Sequence, residues 1–263
     1  MNSLITAIWG VEKSGKSTVA MTFPKPIVHF DLDVGGYARA AWRLDTKDIV
    51  TKSYPIPMQI EKMMGARKED GVTIKPSKKV EGMIELWQSV IVDYIAAVQD
   101  PKVKTIIMDS ATQLWTICHR SRLQTLQDKQ IGQGEKEAYI RAQLLPIEYA
   151  DPNEQMKSIV FTARSYQKNL ILTHYPKDVY APKLTDRGVE EFRTGEIDID
   201  GFKQTKALCD IAIFTYQIKN GKDTKMMARI TLSGLGKALE GMEVEDPTFE
   251  KIEKLIKMVR GEA

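Results

Sequence analysis

Residues 4–23 read LITAIWGVEKSGKSTVAMTF. An apolar, β-prone run ends in Gly10, four residues intervene, and Gly15-Lys16-Ser17 follows, the pattern GxxxxGK[ST]. The run before Gly10 has the composition of a buried strand. KSTVAMTF can open a helix, which Pro24 closes. Strand, glycine loop and helix is the context in which this pattern has chemical meaning. Gly10 and Gly15 permit backbone conformations closed to residues with a Cβ, so successive N–H groups can turn inward and cradle phosphate oxygens. The positive end of the helix dipole adds to that cradle. The expected binding set is Gly10, Val11, Glu12, Lys13, Ser14, Gly15, Lys16, Ser17 and Thr18. Lys16 is placed to reach the β- and γ-phosphates of ATP, Ser17 to ligate Mg²⁺, and Thr18 to lie near the α-phosphate. Lys13 reads as a solvated cation or as one that touches the γ-phosphate or a neighbouring subunit.

Working outward, PKPIVHFDLDVGG (24–36) gives a second apolar strand ending at Asp31 and Asp33, with a Gly35-Gly36 turn beyond. Ligands of open α/β sheets sit at the carboxyl ends of strands, so either aspartate can orient water or hold metal. VKTIIMDSATQLWTI (103–117) gives another apolar strand ending at Asp109, the partner signal that holds Mg²⁺, usually through water. NLILTH (169–174) gives a further strand ending at His174, a polar residue that either senses the γ-phosphate or serves the structure alone.

Between these strands, residues 51–82 are lysine-rich, broken by prolines and read as a surface insertion. Ile84, Trp87, Ile91, Ile95 and Val98 share a helical face, and helical patterns recur in 111–126, 138–147 and 152–167. QDKQIGQGEKE (127–137) and VYAPKLTDRGVEEFRTGEIDIDGF (179–202) read as loops, the second long and charged. Two strands meeting at Asn220-Gly221 form a hairpin, and 246–261 is an amphipathic helix. Lys225 and Arg229 on the second strand are guesses for a cation supplied across a subunit boundary.

The bulk numbers constrain the class. The chain has 263 residues with net charge +3, a weak signal for a polyanionic partner. Cys118 and Cys209 form no CxxC pair, which argues against zinc and a disulfide framework and fits a reducing cytoplasm. No signal peptide is recognised, and no apolar run nears the ~18 residues of a membrane span. The expectation is one α/β domain over 1–263, with a mostly parallel sheet flanked by helices and a C-terminal β-hairpin and helix.

GVEKSGKST, VHFDLDVGG, TIIMDSATQL and LILTH, in that order, resemble the RecA-like core of P-loop NTPases. More narrowly, FPKPIVHFDLD, YADPNEQMKSIVFTARSYQKNLILTH and DGFKQTKALCDIAIF resemble the short phage-encoded RecA-core ATPases associated with single-strand annealing recombination. The resemblance implies an ATP- and Mg²⁺-dependent ATPase with Lys16, Asp33, Asp109 and His174 as catalytic residues and Ser17 and Asp109 at the metal. Asp33 then matches the acid that polarises the hydrolytic water, and His174 the residue that couples γ-phosphate to DNA-contacting loops. Family members usually carry Glu at the first of these positions and often Gln at the second. Implied partners are single-stranded DNA, through loops near 127–137 and 176–200 with Tyr175 and Tyr180 available for stacking, further copies in a ring or filament, and phage replication or recombination proteins. Two rivals stand beside this reading. One is a nucleotide-gated protein-interaction module with little turnover. The other is a small-molecule or nucleotide kinase, for which Arg187 and Arg193 are the arginines in hand but no lid helix is evident.

Overall fold

The computed structural model describes residues 3–42, 44–57, 78–136, 139–185, 188–221 and 223–262. Five fully buried residues, Ile5–Trp9, form β1, and the phosphate-type loop leads into α1, Lys16–Ala20. β2 (Ile27–Asp31), α2 (Gly36–Ala41) and β3 (Ile49–Ser53) follow. Next come α3 (Met83–Gln99), β4 (Thr105–Asp109) and α4 (Ala111–Gly132). Then α5 (Ala150–Ser165) leads to β5 (Asn169–His174). The chain continues through β6 (Pro176–Thr185), β7 (Gly188–Ile199) and α6 (Thr205–Leu208). It ends with β8 (Ile211–Asn220), β9 (Asp223–Ser233), β10 (Glu243–Glu245) and α7 (Phe249–Arg260).

Eight strands make one sheet in the order β10-β9-β8-β1-β5-β4-β2-β3. β1 pairs parallel with β5 and β8, β4 with β2 and β5, and β2 with β3, while β8-β9 and β9-β10 are antiparallel. This is the expected α/β architecture. Alternation along the strands divides the core between two faces. Ile5, Ala7, Phe30, Ile106 and Met108 pack with Trp87 and Val90 of α3, Leu114 and Ile117 of α4, and Ile159 of α5. Ile8, Ile27, Ile107, Ile171 and Ile213 point the other way, onto Val19 of α1 and Ile252 and Ile256 of α7. Both faces are covered, so the central strands read as continuous apolar runs.

Several sequence expectations need correction. Residues 49–53 are a parallel edge strand, so the expected insertion does not begin at 51; residues 58–77 of it lie outside the described residues. α3 buries Met83, Trp87, Val90, Tyr94, Ala97 and Val98, while Ile95 is 44% exposed. The Tyr94 hydroxyl donates to the Ile159 carbonyl at 2.5 Å, which lets a polar-tipped ring turn inward where isoleucine was expected. α4 runs on to Gly132 and takes in half of the stretch expected as a loop. Over 138–147 the α-helix expected from periodicity is absent among the described residues; a 3-10 turn at Pro146–Tyr149 stands at the end of the stretch. Within the stretch 179–202 expected as a loop, the described residues up to 199 belong instead to a two-stranded antiparallel hairpin, β6 with β7, in a sheet of its own. Its residues are mostly exposed, so charge there marks a solvated ribbon rather than irregular chain.

Candidate functional site

The carboxyl ends of β1, β5, β4 and β2 lie side by side, which brings Gly10, His174, Asp109 and Asp31 to one rim of the sheet. At that rim the loop 10–15 has the backbone its sequence demands. Gly10 has φ +154°, and a methyl there would lie 2.2 Å from the Thr215 carbonyl oxygen. Gly15, with φ +92°, caps α1 and would meet the Met226 methyl at 1.9 Å. The hairpin β8-β9 therefore forms the loop's wall. The Ser14 and Thr215 hydroxyls lie 2.7 Å apart, and the Gln217 amide donates to the Lys13 carbonyl at 2.9 Å. Lys13 takes a left-handed φ of +61°. Sequence reasoning missed this buttress because it links positions about 200 residues apart.

Lys16 is buried, with its ammonium donating to the carbonyls of Gly10 (2.8 Å) and Val11 (2.9 Å). Burial lowers its pKa, against the opposing pull of Asp109, Asp33 and Glu12. The same ammonium sits 5.0 Å from the centre of the Tyr175 ring.

Asp109 is buried at the end of β4 and accepts hydrogen bonds from Thr173 Oγ1 and His29 Nε2 (3.3 Å), with the Ser17 hydroxyl near enough to favour its ionised form. Burial alone would raise its pKa; the interactions with His29, Ser17 and Thr173 outweigh that and hold it below the usual carboxylate value. The two expected metal ligands, Ser17 and Asp109, are thus brought together. His29 is the partner that sequence reasoning passed over. The available signal was its place two residues before Asp31 in an apolar strand, hence on the same face.

Asp31 and Asp33 part company. Asp31 Oδ2 accepts the Gly35 N–H at 2.9 Å, and its Oδ1 is buried with no partner. Asp33 accepts from Ser110 Oγ at 3.1 Å and from the Tyr175 hydroxyl at 2.7 Å. Burial raises the Asp33 pKa, with Asp109 and Asp31 adding to the rise while the Tyr175 and Ser110 bonds oppose it. His174 is fully buried at the end of β5; its Nδ1 lies 2.9 Å from the Asp200 carbonyl and its Nε2 has no partner. Burial pushes its pKa down to about 4, so it is neutral at pH 7. Its hydrogen bond goes to the end of the β6-β7 hairpin rather than to the loop 10–15.

The donors suit Mg²⁺. A side chain at Gly36 would stand 3.0 Å from Asp109 Oδ2 and 3.6 Å from the orphaned Asp31 Oδ1, so glycine keeps the space before these carboxylates clear. No group of three or more His, Cys, Asp or Glu able to hold a metal occurs among the described residues. Mg²⁺ needs none, because it takes one or two protein ligands and fills the rest with water and substrate phosphates.

The two guesses for a trans cation are engaged within the chain. Lys225 pairs with Glu245 at 2.7 Å, and Arg229 pairs with Glu243 at 2.6 Å over the Tyr216 ring. Among the described residues no helix is long and apolar enough to cross a membrane.

The family model AAA_24, described as an AAA domain, matches residues 2–214. Among solved structures, the chain is similar to a KaiC-like protein, PH0186, from Pyrococcus horikoshii OT3, at 10% identity and TM-score 0.48, covering 93% of this chain and 85% of that one. It is also similar to the flagellar accessory protein FlaH from Methanocaldococcus jannaschii, at 14% identity and TM-score 0.46, covering 94% and 85%. No curated protein matches the chain. The matched span runs from the start of β1 into β8 and contains the loop, Asp109 and His174, and on that basis the chain belongs to the AAA_24 family, a family of AAA domains.

Proposed function

We propose that the protein hydrolyses ATP slowly and uses the nucleotide state to control the β6-β7 hairpin. The observation that carries this reading is the convergence of a glycine-cradled loop, the buried Lys16, and the Ser17–Asp109 pair at one sheet rim. The loop amides bind the phosphates, and Lys16 leaves its two carbonyls to meet the charge that gathers on the γ-phosphate. Mg²⁺, which Ser17 and Asp109 would hold, would supply further neutralisation of the phosphate charge. Asp33 accepts and orients the attacking water. His174 stands between β5 and the hairpin base, where it couples the two. Assembly into a ring or filament is part of this reading, as is action in the cytoplasm of a phage-infected host.

Single-stranded DNA is the partner that the family resemblance implies, and exposed Tyr180 and Phe192 offer rings for stacking. The hairpin's charge favours a second reading. Its described residues carry Asp178, Glu190, Glu191, Glu196 and Asp198 against Lys177, Lys183 and Arg193. An acidic ribbon repels phosphate backbones, so a protein partner with little stimulation by DNA fits it better. The deciding experiment is ATP turnover by wild type and Lys16→Ala, with and without single-stranded DNA. Loss of turnover in the variant supports the site. A DNA-dependent rate supports recombination, and a rate indifferent to DNA supports the protein-gated alternative. Equal rates in wild type and variant overturn the assignment of the site.

A further inference from the structure

Tyr175 has no assigned role in hydrolysis, yet it touches more of the site than His174 does. Its N–H donates to Thr112 Oγ1 at 3.1 Å, and its carbonyl accepts the Asp200 N–H at 2.8 Å, so its backbone is fixed both to the start of α4 and to the far end of the hairpin. From that anchor the side chain turns into the rim. The ring faces the Lys16 ammonium, and the hydroxyl donates to Asp33 Oδ2. Ser110 Oγ holds the other oxygen of the same carboxylate. Asp33 lies beyond the end of β2, in a turn containing the left-handed Val34 and Gly35, and has no strand pairing to fix it. Two donors, one on each oxygen, set the plane of its carboxylate and leave the remaining lone pairs directed at fixed positions.

We propose that Tyr175 is a positioning residue for ATP hydrolysis, acting through Asp33. This rests on the reading of Asp33 as the group that orients the attacking water. A carboxylate that holds a nucleophilic water must present one lone pair in one direction, and a small error in that direction is costly in rate. Tyr175 supplies the constraint from the chain segment that also begins the hairpin. Binding of substrate is left to the loop amides and Lys16. The role therefore belongs to the chemical step and not to affinity. His174, one residue earlier, faces Asp200 and is not in hydrogen-bond contact with Asp33.

Tyr175→Phe tests this directly, because the ring stays over Lys16 and only the hydroxyl is lost. Turnover, KM for ATP and equilibrium binding of ATP are measured for wild type, Tyr175→Phe, Asp33→Asn and the double variant. The expected result is a fall in kcat of about tenfold for Tyr175→Phe, with KM and binding within about twofold of wild type. In the Asp33→Asn background the same change costs nothing further, a result that a merely structural tyrosine would not give. An unchanged or raised kcat, a loss confined to affinity, or a full additional loss in the double variant overturns the proposal while leaving the ATPase reading intact. Absence of turnover in wild type overturns both.

Discussion

At Gly10 a methyl group would lie 2.2 Å from a main-chain carbonyl of β8, and main chain in the middle of a sheet cannot step aside. Gly10→Ala is therefore expected to lose at least about 2 kcal/mol of stability by urea denaturation, in addition to its nucleotide site. Gly15→Ala meets only the flexible end of Met226, so its cost comes mainly from the strained φ. His174 makes a different prediction. Its pKa falls from the usual 6.5 to about 4 on folding. Above pH 6.5 both states are neutral and the stability it contributes is fully present. As pH drops, the unfolded chain takes up a proton that the native chain refuses until about pH 4, so stability is lost across that window. The loss reaches about 3 kcal/mol at its foot. The unfolding free energy of wild type should fall more between pH 7 and pH 4.5 than that of His174→Gln, and equal slopes would refute the buried neutral imidazole. The spacing of Gly10, Gly15, Lys16 and Ser17 was legible because one local motif encodes it. The bonds of Asp33 to Tyr175 and of Asp109 to His29 were not, because they join residues 142 and 80 positions apart in the chain.

Elements were legible where a single period ran uninterrupted, as in β1, β4, β5 and α7. They were misread where polar residues turn inward. Gln127 is fully buried in the stretch expected as a loop: its carbonyl accepts the Val80 N–H at 2.7 Å, and its amide donates to the carbonyls of Lys78 (3.0 Å) and Arg141 (2.7 Å). One turn earlier, the Gln124 carbonyl accepts the N–H groups of Met83 and Ile84, the open N-terminus of α3, whose cap Gly82 has no side chain to offer. Gln127→Leu leaves the buried Val80 N–H and the part-buried carbonyls of Lys78 and Arg141 unpaired and should cost about 1–3 kcal/mol in chemical denaturation. A change below about 0.5 kcal/mol would show that these groups find other partners. The β6-β7 hairpin was misread for the opposite reason: strands without a buried face carry no alternation of polarity to read. Because the hairpin forms its own sheet, replacing 178–197 by a short Gly-Ser turn should leave the thermal midpoint and ATP binding near wild type, while any effect of a partner on turnover disappears. Unfolding of that variant would show that the ribbon supports the core.

For the whole molecule, the order β3-β2-β4-β5-β1-β8 places every acidic or nucleophilic candidate on one edge of the sheet, with a helix layer behind each face. That architecture followed from the sequence because strand, loop and helix alternate, and such alternation favours a parallel sheet. The antiparallel extension β9-β10, which backs the loop through Met226, depends on tertiary contacts and was only half foreseen through the Asn220-Gly221 turn. A ligand that binds only the folded state stabilises it by mass action, so ATP with Mg²⁺ at a hundred times Kd should raise unfolding free energy by about 2.7 kcal/mol. The Lys16→Ala variant should show about half of that gain or less at the same ligand concentration. Titration calorimetry of ATP and Mg²⁺ into wild type and Lys16→Ala tests the central claim, that the Gly10–Thr18 loop grips a triphosphate. Saturable 1:1 uptake by wild type, with affinity at least about tenfold weaker in the variant, is the predicted result. No heat of binding in wild type, or equal affinity in both proteins, would contradict it.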